Sequence, residues 1–334
     1  MNVQSKTNGI PHPQLIGSLR AGFDTVANHI GLILFPVALD LFLWFGPHFQ
    51  VKPIVSRMLA EITANPAFNT PQMSDMIKSS QAFWSAWADH FNLASALRAF
   101  PVGVSSLMTS IMPLDTPLGT PAILSIGSLG RALVIWILFS LVGLILGSLY
   151  FSAVARAIHG QNIPSGVASD LWDALQVVFL AISVIVVLSM ILIPAFFLLA
   201  LLALISLDIA QFAIIIVFLV MIWILVPLLF SPHGIFVYRQ NAWRSMLTSV
   251  RLVRFILPGT GLFFLAILVL SQGLDLLWQV PATNSWMSLV GIAGHAFVTT
   301  GLLASSFVYY RDAMHWVQEF LQRKLVSPSQ TSPV

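Results

Sequence analysis

The chain has 334 residues, of which 57% are hydrophobic and only 8% charged, whereas soluble domains usually carry about 25% charged residues. This composition excludes an ordinary water-soluble globule. The net charge of +3 is too small and dispersed for a nucleic-acid-binding surface. The lack of cysteine excludes disulfides, thiolate nucleophiles, iron–sulfur clusters and cysteine-bound zinc.

Long apolar runs dominate the chain, and the longest lies between Asp173 and Arg239, with Asp208 as its single charged residue. One helical crossing of a bilayer needs roughly 20 apolar residues, so this run is long enough for two crossings with Asp208 at the turn. Because backbone polar groups in lipid must bond internally, the sequence predicts an all-α, polytopic integral membrane bundle. About six transmembrane helices are predicted, over Val26–Phe45, Leu133–Ala153, Leu175–Ala203, Ile209–Phe230, Phe255–Trp278 and Trp286–Tyr309.

The remaining segments are two tails and one long connection. The predicted division is an N-terminal tail over 1–25, a first span over 26–45, a connection over 46–128, the five-helix remainder over 129–310 and a C-terminal tail over 311–334.

The long connection carries three apolar stripes with helical spacing. They are Ile54, Met58 and Ile62; Phe83, Trp87 and Phe91; and, after Pro101, Val104, Leu107, Met108 and Ile111. The stripes predict two or three short amphipathic helices outside the membrane. Two interpretations stay open at this point: a structural cap on the bundle, or a lid or docking surface.

The basic residues are distributed asymmetrically between the two sides of the predicted bundle. The tails and the connections after spans two and four hold Lys6, Arg20, Arg156, Arg239, Arg244, Arg251, Arg254, Arg311, Arg323 and Lys324. The connections near Asp208 and over 279–285 hold no lysine or arginine. The positive-inside rule therefore predicts a multi-pass protein of the prokaryotic plasma membrane (the cell inner membrane) with both termini cytoplasmic and residues 46–128 outside.

Seven polar residues would lie in the outer half of the membrane in this orientation. They are Asp40, Arg131, Asp208, Gln211, Gln272, Asp275 and His295. Since an aspartate at mid-membrane costs about 2.5–3.5 kcal/mol on insertion scales, they form a candidate polar cluster that lines a cavity or an ion path. In the other interpretation Asp208, Gln211 and Arg131 are boundary residues in the headgroup zone, and Asp40 or Asp275 pairs with Arg131 for structure. His295 is expected to donate a hydrogen bond between helices, and no metal or cofactor site is expected.

The connection after span four is basic and aromatic. Between Gly234 and Arg254 it carries the candidate contact residues Arg239, Trp243, Arg244, Arg251 and Arg254. Such a helix suits an anionic inner leaflet or a docking partner, and a role limited to setting topology is the third interpretation.

Three stretches together resemble a known group of proteins: Gly147–Leu175, Gly234–Phe255 and Ser305–Trp316. The group is broad, mostly uncharacterised, and consists of six-helix prokaryotic membrane proteins, including the membrane domain attached to some glycerophosphodiester phosphodiesterases. The resemblance implies a six-helix membrane fold and supplies no catalytic residues. The long outer loop departs from the group, and no soluble phosphodiesterase domain is expected in these 334 residues, so no such activity is implied.

The functional expectation is a scaffold or subunit of a membrane complex, with the lipid bilayer and other subunits as partners and no substrate indicated. No P-loop, HExxH or GxSxG motif is present. One alternative is the membrane subunit of a transporter such as an ATP-driven exporter. A weaker alternative is a lipid-modifying membrane enzyme that uses Asp40, Asp275 or His295; a buried cavity joining these three residues would favour transport or catalysis.

Overall fold

The structure, a computed structural model, describes residues 13–64, 71–160, 163 and 165–326. Lys6 and the last eight residues of the predicted C-terminal tail lie outside these ranges. The only strands among the described residues are β1 (His48–Gln50) and β2 (Ile123–Ser125). The helices are α1 (Leu15–Asn28), α2 (Leu34–Phe45), α3 (Lys52–Ala64), α4 (Pro71–His90), α5 (Met108–Ile111), α6 (Leu129–His159), α7 (Val167–Ile205), α8 (Leu207–Leu225), α9 (Ser231–Tyr238), α10 (Ala242–Phe255), α11 (Leu257–Trp278) and α12 (Ser288–Val326).

Within the described ranges, five helical segments are long and apolar enough to cross a membrane, and a helix pair near the N-terminus, bent by 93° at its break, brings the number to six if the pair is one span. The five are Leu129–His159, Val167–Ile205, Leu207–Tyr238, Leu257–Trp278 and Ser288–Arg323. The broken pair is Leu15–Asn28 with Ile30–Phe45. These helices confirm the prediction of an all-α, multi-pass membrane bundle with about six spans.

The first span differs from the continuous helix predicted over Val26–Phe45, because the helix is broken at His29. A 3-10 turn over Ile30–Ile33 follows, and α2 starts anew with Pro36 in its first turn. Proline has no N–H to donate to the carbonyl four residues earlier, which is Leu32, so an unbroken helix would lose a hydrogen bond there. In the first turn of a new helix the missing N–H costs nothing.

The chain forms two compact units, and three long helices contribute residues to both. Unit 1 contains Met1–His29, Phe151–Leu270 and Thr300–Val334, and unit 2 contains Ile30–Tyr150 and Ser271–Thr299.

The core of unit 1 is rich in aromatic rings from α11, α12 and the turn before α9. Phe263 of α11 stacks on Tyr309 of α12 with ring centroids 4.1 Å apart, and Phe230 packs against Tyr309 at 6.0 Å. All three side chains are buried. Helix α1 packs on α12 at Gly22, where an added Cβ would clash with the backbone of Ser305. The small residue therefore permits a close helix–helix approach, as in other membrane bundles.

Unit 2 is built around a parallel pairing of β1 with β2, in which His48 lies opposite Ile123. The pairing joins the chain just after α2 to the chain just before α6, so both ends of the 46–128 connection are fixed near membrane helices.

The amphipathic stripes predicted in this connection have different outcomes. Helices α3 and α4 confirm the first two. The third stripe forms only the short helix α5, and Val104 and Leu107 are buried in irregular chain before it. Hydrogen bonds from the Leu107 and Met108 N–H groups to the buried carboxylate of Asp40 fix the start of α5, and Met112 in the left-handed conformation (φ 49°) ends it.

Candidate functional site

Asp40 of α2 is completely buried in unit 2 and accepts three hydrogen bonds. The Ser106 hydroxyl donates to Oδ1 at 2.6 Å, the Met108 backbone N–H donates to Oδ1 at 3.0 Å, and the Leu107 N–H donates to Oδ2 at 3.1 Å. Buried carboxylates are stable only when donors of this kind replace water. The carboxylate therefore fixes the start of α5 onto α2.

Asp275 of α11 and His295 of α12 form a side-chain hydrogen bond within unit 2. Asp275 Oδ1 lies 2.7 Å from His295 Nδ1, and their side chains are 16% and 5% exposed. Asp40 and the Asp275–His295 pair all lie in unit 2, but each carboxylate has its own hydrogen-bond partners. His295 Nε2 is buried and has no hydrogen-bond partner among the described atoms. A carboxylate on one imidazole nitrogen fixes the orientation of the ring.

The predicted ion pair of Arg131 with Asp40 or Asp275 is wrong. Arg131 is exposed at the start of α6, and both carboxylates bond to other groups. Backbone and hydroxyl donors satisfy the oxygens of Asp40 with hydrogen bonds and need no second buried charge.

The other three predicted polar residues are exposed. Gln272 lies on the part of α11 that belongs to unit 2. Asp208 and Gln211 lie at the start of α8, in unit 1. Asp208 occupies the first helical turn, where the helix dipole favours a negative charge, which agrees with the boundary interpretation.

Arg239 differs from the four other predicted contact residues of the basic segment. It lies between α9 and α10 in the left-handed conformation (φ 50°) and donates to the Ser169 hydroxyl. Its guanidinium also lies 3.7 Å from Asp173, whose side chain is 3% exposed. Ser152 donates a further hydrogen bond of 3.3 Å to Asp173. Arg239 therefore holds the α9–α10 junction onto α7 and does not belong to an open basic surface.

Helix α10 is positioned by side chains at its first turn. Asn241 Oδ1 accepts a hydrogen bond from the Arg244 N–H at 2.9 Å, which is a standard N-cap. Gln176 of α7 accepts one from the Ala242 N–H, also at 2.9 Å. The orientation of the helix is therefore fixed from two sides.

Two serines one turn apart tie the inward face of α10 to the preceding chain. Ser245 donates to the Ser231 carbonyl, and Ser249 donates to the Pro227 carbonyl at 2.6 Å. The sequence analysis missed both serines together with Asp173 and Gln176. The sequence signal for the two serines was their four-residue spacing, which puts Ser245 and Ser249 on the side of the helix opposite the arginines.

The outward face of α10 carries the other four predicted contact residues, Trp243, Arg244, Arg251 and Arg254. All four are exposed, and Trp243 retains 64% of its surface.

The three stretches that carry the family resemblance meet in the interior of unit 1. Phe151, Phe236 and Phe307, one from each stretch, have ring centroids 5.6, 6.0 and 6.5 Å apart and are all buried. At this point the shared pattern builds a packed aromatic core and not an open site.

An open apolar cleft lies between α3 and α4 in unit 2, with a volume of about 660 Å³. Its lining is almost entirely apolar, and Met58 and Trp84 keep 56% and 44% of their surface exposed. Ile62 of α3 and Trp87 of α4 also contribute to the lining. A cleft of this size and lining is typical of a binding site for an apolar group.

No protein-family model, curated protein or solved structure matches the chain. Within the described ranges, no group of three or more histidine or acidic side chains lies close enough to hold a metal ion.

Proposed function

We propose that the protein is a non-enzymatic subunit of a membrane complex and that the α3–α4 cleft contacts its partner. The open apolar cleft is the observation that carries the proposal. Contiguous exposed apolar surface outside the spans is costly in water, and such surfaces mark interaction sites. Arg57 and Glu61 are exposed on α3 but do not line the cleft, so the apolar side of α3 faces the cleft and its charged side faces away from it.

The bonding of the membrane-embedded charges supports a scaffold over a transporter. A transported ion or polar solute would have to reach Asp40, yet this carboxylate is fully buried and its two oxygens accept three hydrogen bonds. Its contacts serve to hold the chain after Pro101 onto α2.

The proposed occupant of the cleft is the apolar face of a helix from another membrane protein. Grooves between two helices commonly accept an amphipathic helix through apolar anchors one turn apart, which is the spacing of Met58 and Ile62. The occupant must itself lie near the membrane, because α3 begins only seven residues after α2 ends at Phe45.

Both termini are proposed to be cytoplasmic in a prokaryotic plasma membrane, with the cleft on the outer side. The support is the excess of lysine and arginine in the tails and in the connections after spans two and four.

The test is purification from the native membrane in a mild detergent, comparing the wild type with Met58→Asp. A partner that co-purifies in stoichiometric amount with the wild type should be lost from Met58→Asp, because a carboxylate in the cleft opposes apolar packing. Leu118→Asp is the matched control, since Leu118 is 74% exposed in the same connection but does not line the cleft. The proposal fails if the wild type brings no stoichiometric partner, or if both variants keep the same one.

The contact between Asp275 and His295 favours a second candidate, a lipid-modifying enzyme. A carboxylate on Nδ1 with Nε2 unoccupied by any described atom is the arrangement of a general base. The test compares the lipid composition of cells that lack the protein with cells restored by the wild type or by His295→Gln. An altered lipid restored by the wild type but not by His295→Gln would support the enzyme, and identical lipid profiles would exclude it.

A further inference from the structure

The exposed face of α10 combines positive charge with large apolar side chains. Its members are Trp243, Arg244, Leu247, Arg251, Arg254 and Phe255, and we call it the α10 face. At 3.6 residues per turn these six positions fall within an arc of about 120°. The opposite side is buried and includes Ser245 and Ser249. One continuous stripe of the helix is therefore basic, aromatic and without cover from the rest of unit 1.

The charge of the α10 face is not balanced within the protein. Of the arginines near this helix, Arg239 pairs with Asp173, whereas Arg244, Arg251 and Arg254 form no ion pair with a described carboxylate. The nearest acidic residues along the chain are Asp208 and Asp275, so more than sixty residues around α10 carry no negative charge. No described carboxylate pairs with these three arginines, so they are available to an anion from outside the chain.

The position of α10 in the chain places this charge at the membrane surface. The span Leu207–Tyr238 ends three residues before α10, and the span Leu257–Trp278 begins one residue after it. Arg254 is three residues from the start of that span, a distance of at most about 11 Å for a fully extended chain. Arginine and tryptophan together on an amphipathic helix are the residues favoured between headgroups and acyl chains.

We propose that the α10 face binds the headgroups of anionic phospholipids in the leaflet that surrounds it. In this arrangement Arg251 and Arg254 contact the phosphates, and Trp243, Leu247 and Phe255 enter the apolar boundary of the bilayer. A protein partner in the same place would be expected to bring carboxylates to the arginines without requiring a membrane. The two membrane spans that flank α10 favour the lipid as occupant.

The experiment measures lipid affinity for the full-length protein in a neutral detergent, with bound lipid counted by native mass spectrometry. Phosphatidylglycerol is the anionic probe and phosphatidylcholine the neutral one. The wild type should bind phosphatidylglycerol more tightly, and R251Q/R254Q should weaken this binding by about 25-fold. The factor follows because each basic residue near an anionic surface contributes about 1 kcal/mol, or roughly five-fold in affinity.

The matched control is R57Q/R98Q, which removes two exposed arginines of unit 2 and the same amount of charge. This variant should keep the wild-type affinity for phosphatidylglycerol. Thermal unfolding of both double variants must match the wild type, because all four side chains are exposed. If a double variant is less stable than the wild type, Arg251 and Arg254 are each changed to Gln singly. Each single variant should then lose about five-fold in affinity for phosphatidylglycerol.

Three results would overturn the proposal. The first is equal affinity of the wild type for the two lipids. The second is an equal loss of phosphatidylglycerol affinity in R251Q/R254Q and R57Q/R98Q. The third is a co-purifying protein that Trp243→Ala removes while R251Q/R254Q keeps wild-type phosphatidylglycerol affinity, which would make the α10 face a protein-docking surface. R251Q/R254Q and Trp243→Ala leave the α3–α4 cleft unchanged, so failure of this proposal can be distinguished from failure of the proposed function.

Discussion

Ser106 donates a 2.6 Å hydrogen bond to Asp40, a fully buried carboxylate 66 residues earlier in the chain. The same carboxylate accepts the N–H groups of Leu107 and Met108. One side chain of the first span thus fixes the fold of the long connection that follows it. The charge that was a candidate for transport or catalysis has a structural role that accounts for its burial.

Asp40→Asn should lower the free energy of unfolding by about 2–3 kcal/mol, because hydrogen bonds to a charged acceptor contribute roughly 1.5–3 kcal/mol each. The amide offers one acceptor oxygen instead of two, so at least one of the three donors loses its partner. Ser106→Ala should cost less, about 1 kcal/mol. Denaturant unfolding in detergent measures the free energy of unfolding of both variants.

Asp208→Asn, at an exposed position, is the control and should change stability by no more than about 0.5 kcal/mol. Unchanged stability of Asp40→Asn would contradict this role.

Arg239 and Asp173 should be energetically coupled. Removing the guanidinium leaves a nearly buried carboxylate without its cation, so Arg239→Gln should cost about 1–2 kcal/mol, between the values for exposed and buried pairs. Asp173→Asn in the same chain should recover part of this loss. A double-mutant cycle on unfolding free energies measures the coupling, expected at about 1 kcal/mol. The parallel cycle with the exposed Arg244→Gln should be additive, and additivity in both cycles would show that the pair contributes nothing.

His48 should make stability fall in mildly acidic solution. Burial in β1 lowers the pKa of this histidine below its ordinary value of 6.5, and a hydrogen bond with the Leu43 backbone opposes the shift only in part. The unfolded chain therefore takes up a proton near pH 6.5 that the folded chain resists. His48 costs no stability above that pH, and the loss grows as pH falls toward the lowered pKa.

The measurement for His48 is the midpoint of thermal unfolding between pH 8 and pH 5, for the wild type and for His48→Gln. Other histidines titrate in both proteins, so the difference between the two curves reports His48. The difference should narrow below about pH 6.5 as the wild type loses its advantage. Parallel curves would mean that His48 keeps its ordinary pKa in the folded protein.

The spans could be predicted from the sequence because a membrane helix needs only length and apolarity, and both are local properties. The predicted ends of the first and last spans were less accurate, because the local backbone geometry determines where a helix breaks or ends. The first span is broken at His29, and α12 extends well beyond the predicted end at Tyr309. The helices α3 and α4 were predictable because their apolar residues repeat with helical period.

The contacts between distant residues could not be predicted. Opposite charges on two spans favoured a pair of Arg131 with an aspartate, but backbone N–H groups, which leave no trace in the sequence, bind Asp40 instead. The parallel pairing of β1 and β2 joins three-residue strands more than seventy residues apart, too short for any periodicity to show. The separation of Arg239 from the α10 face depends on a left-handed backbone at a single residue, which composition does not reveal.

The orientation of the chain can be tested by labelling single cysteines, because the protein has none of its own. Ser79 of α4 and Gln322 of α12 are exposed, so each can be changed to cysteine without disturbing the core. A membrane-impermeant maleimide should label Ser79→Cys in spheroplasts, since the 46–128 connection is expected outside. Gln322→Cys should react only after the membrane is permeabilised with detergent. Labelling in detergent is the control that every thiol is reactive. If Gln322→Cys reacts in intact spheroplasts and Ser79→Cys does not, the protein has the opposite orientation, and the α10 face meets the outer leaflet.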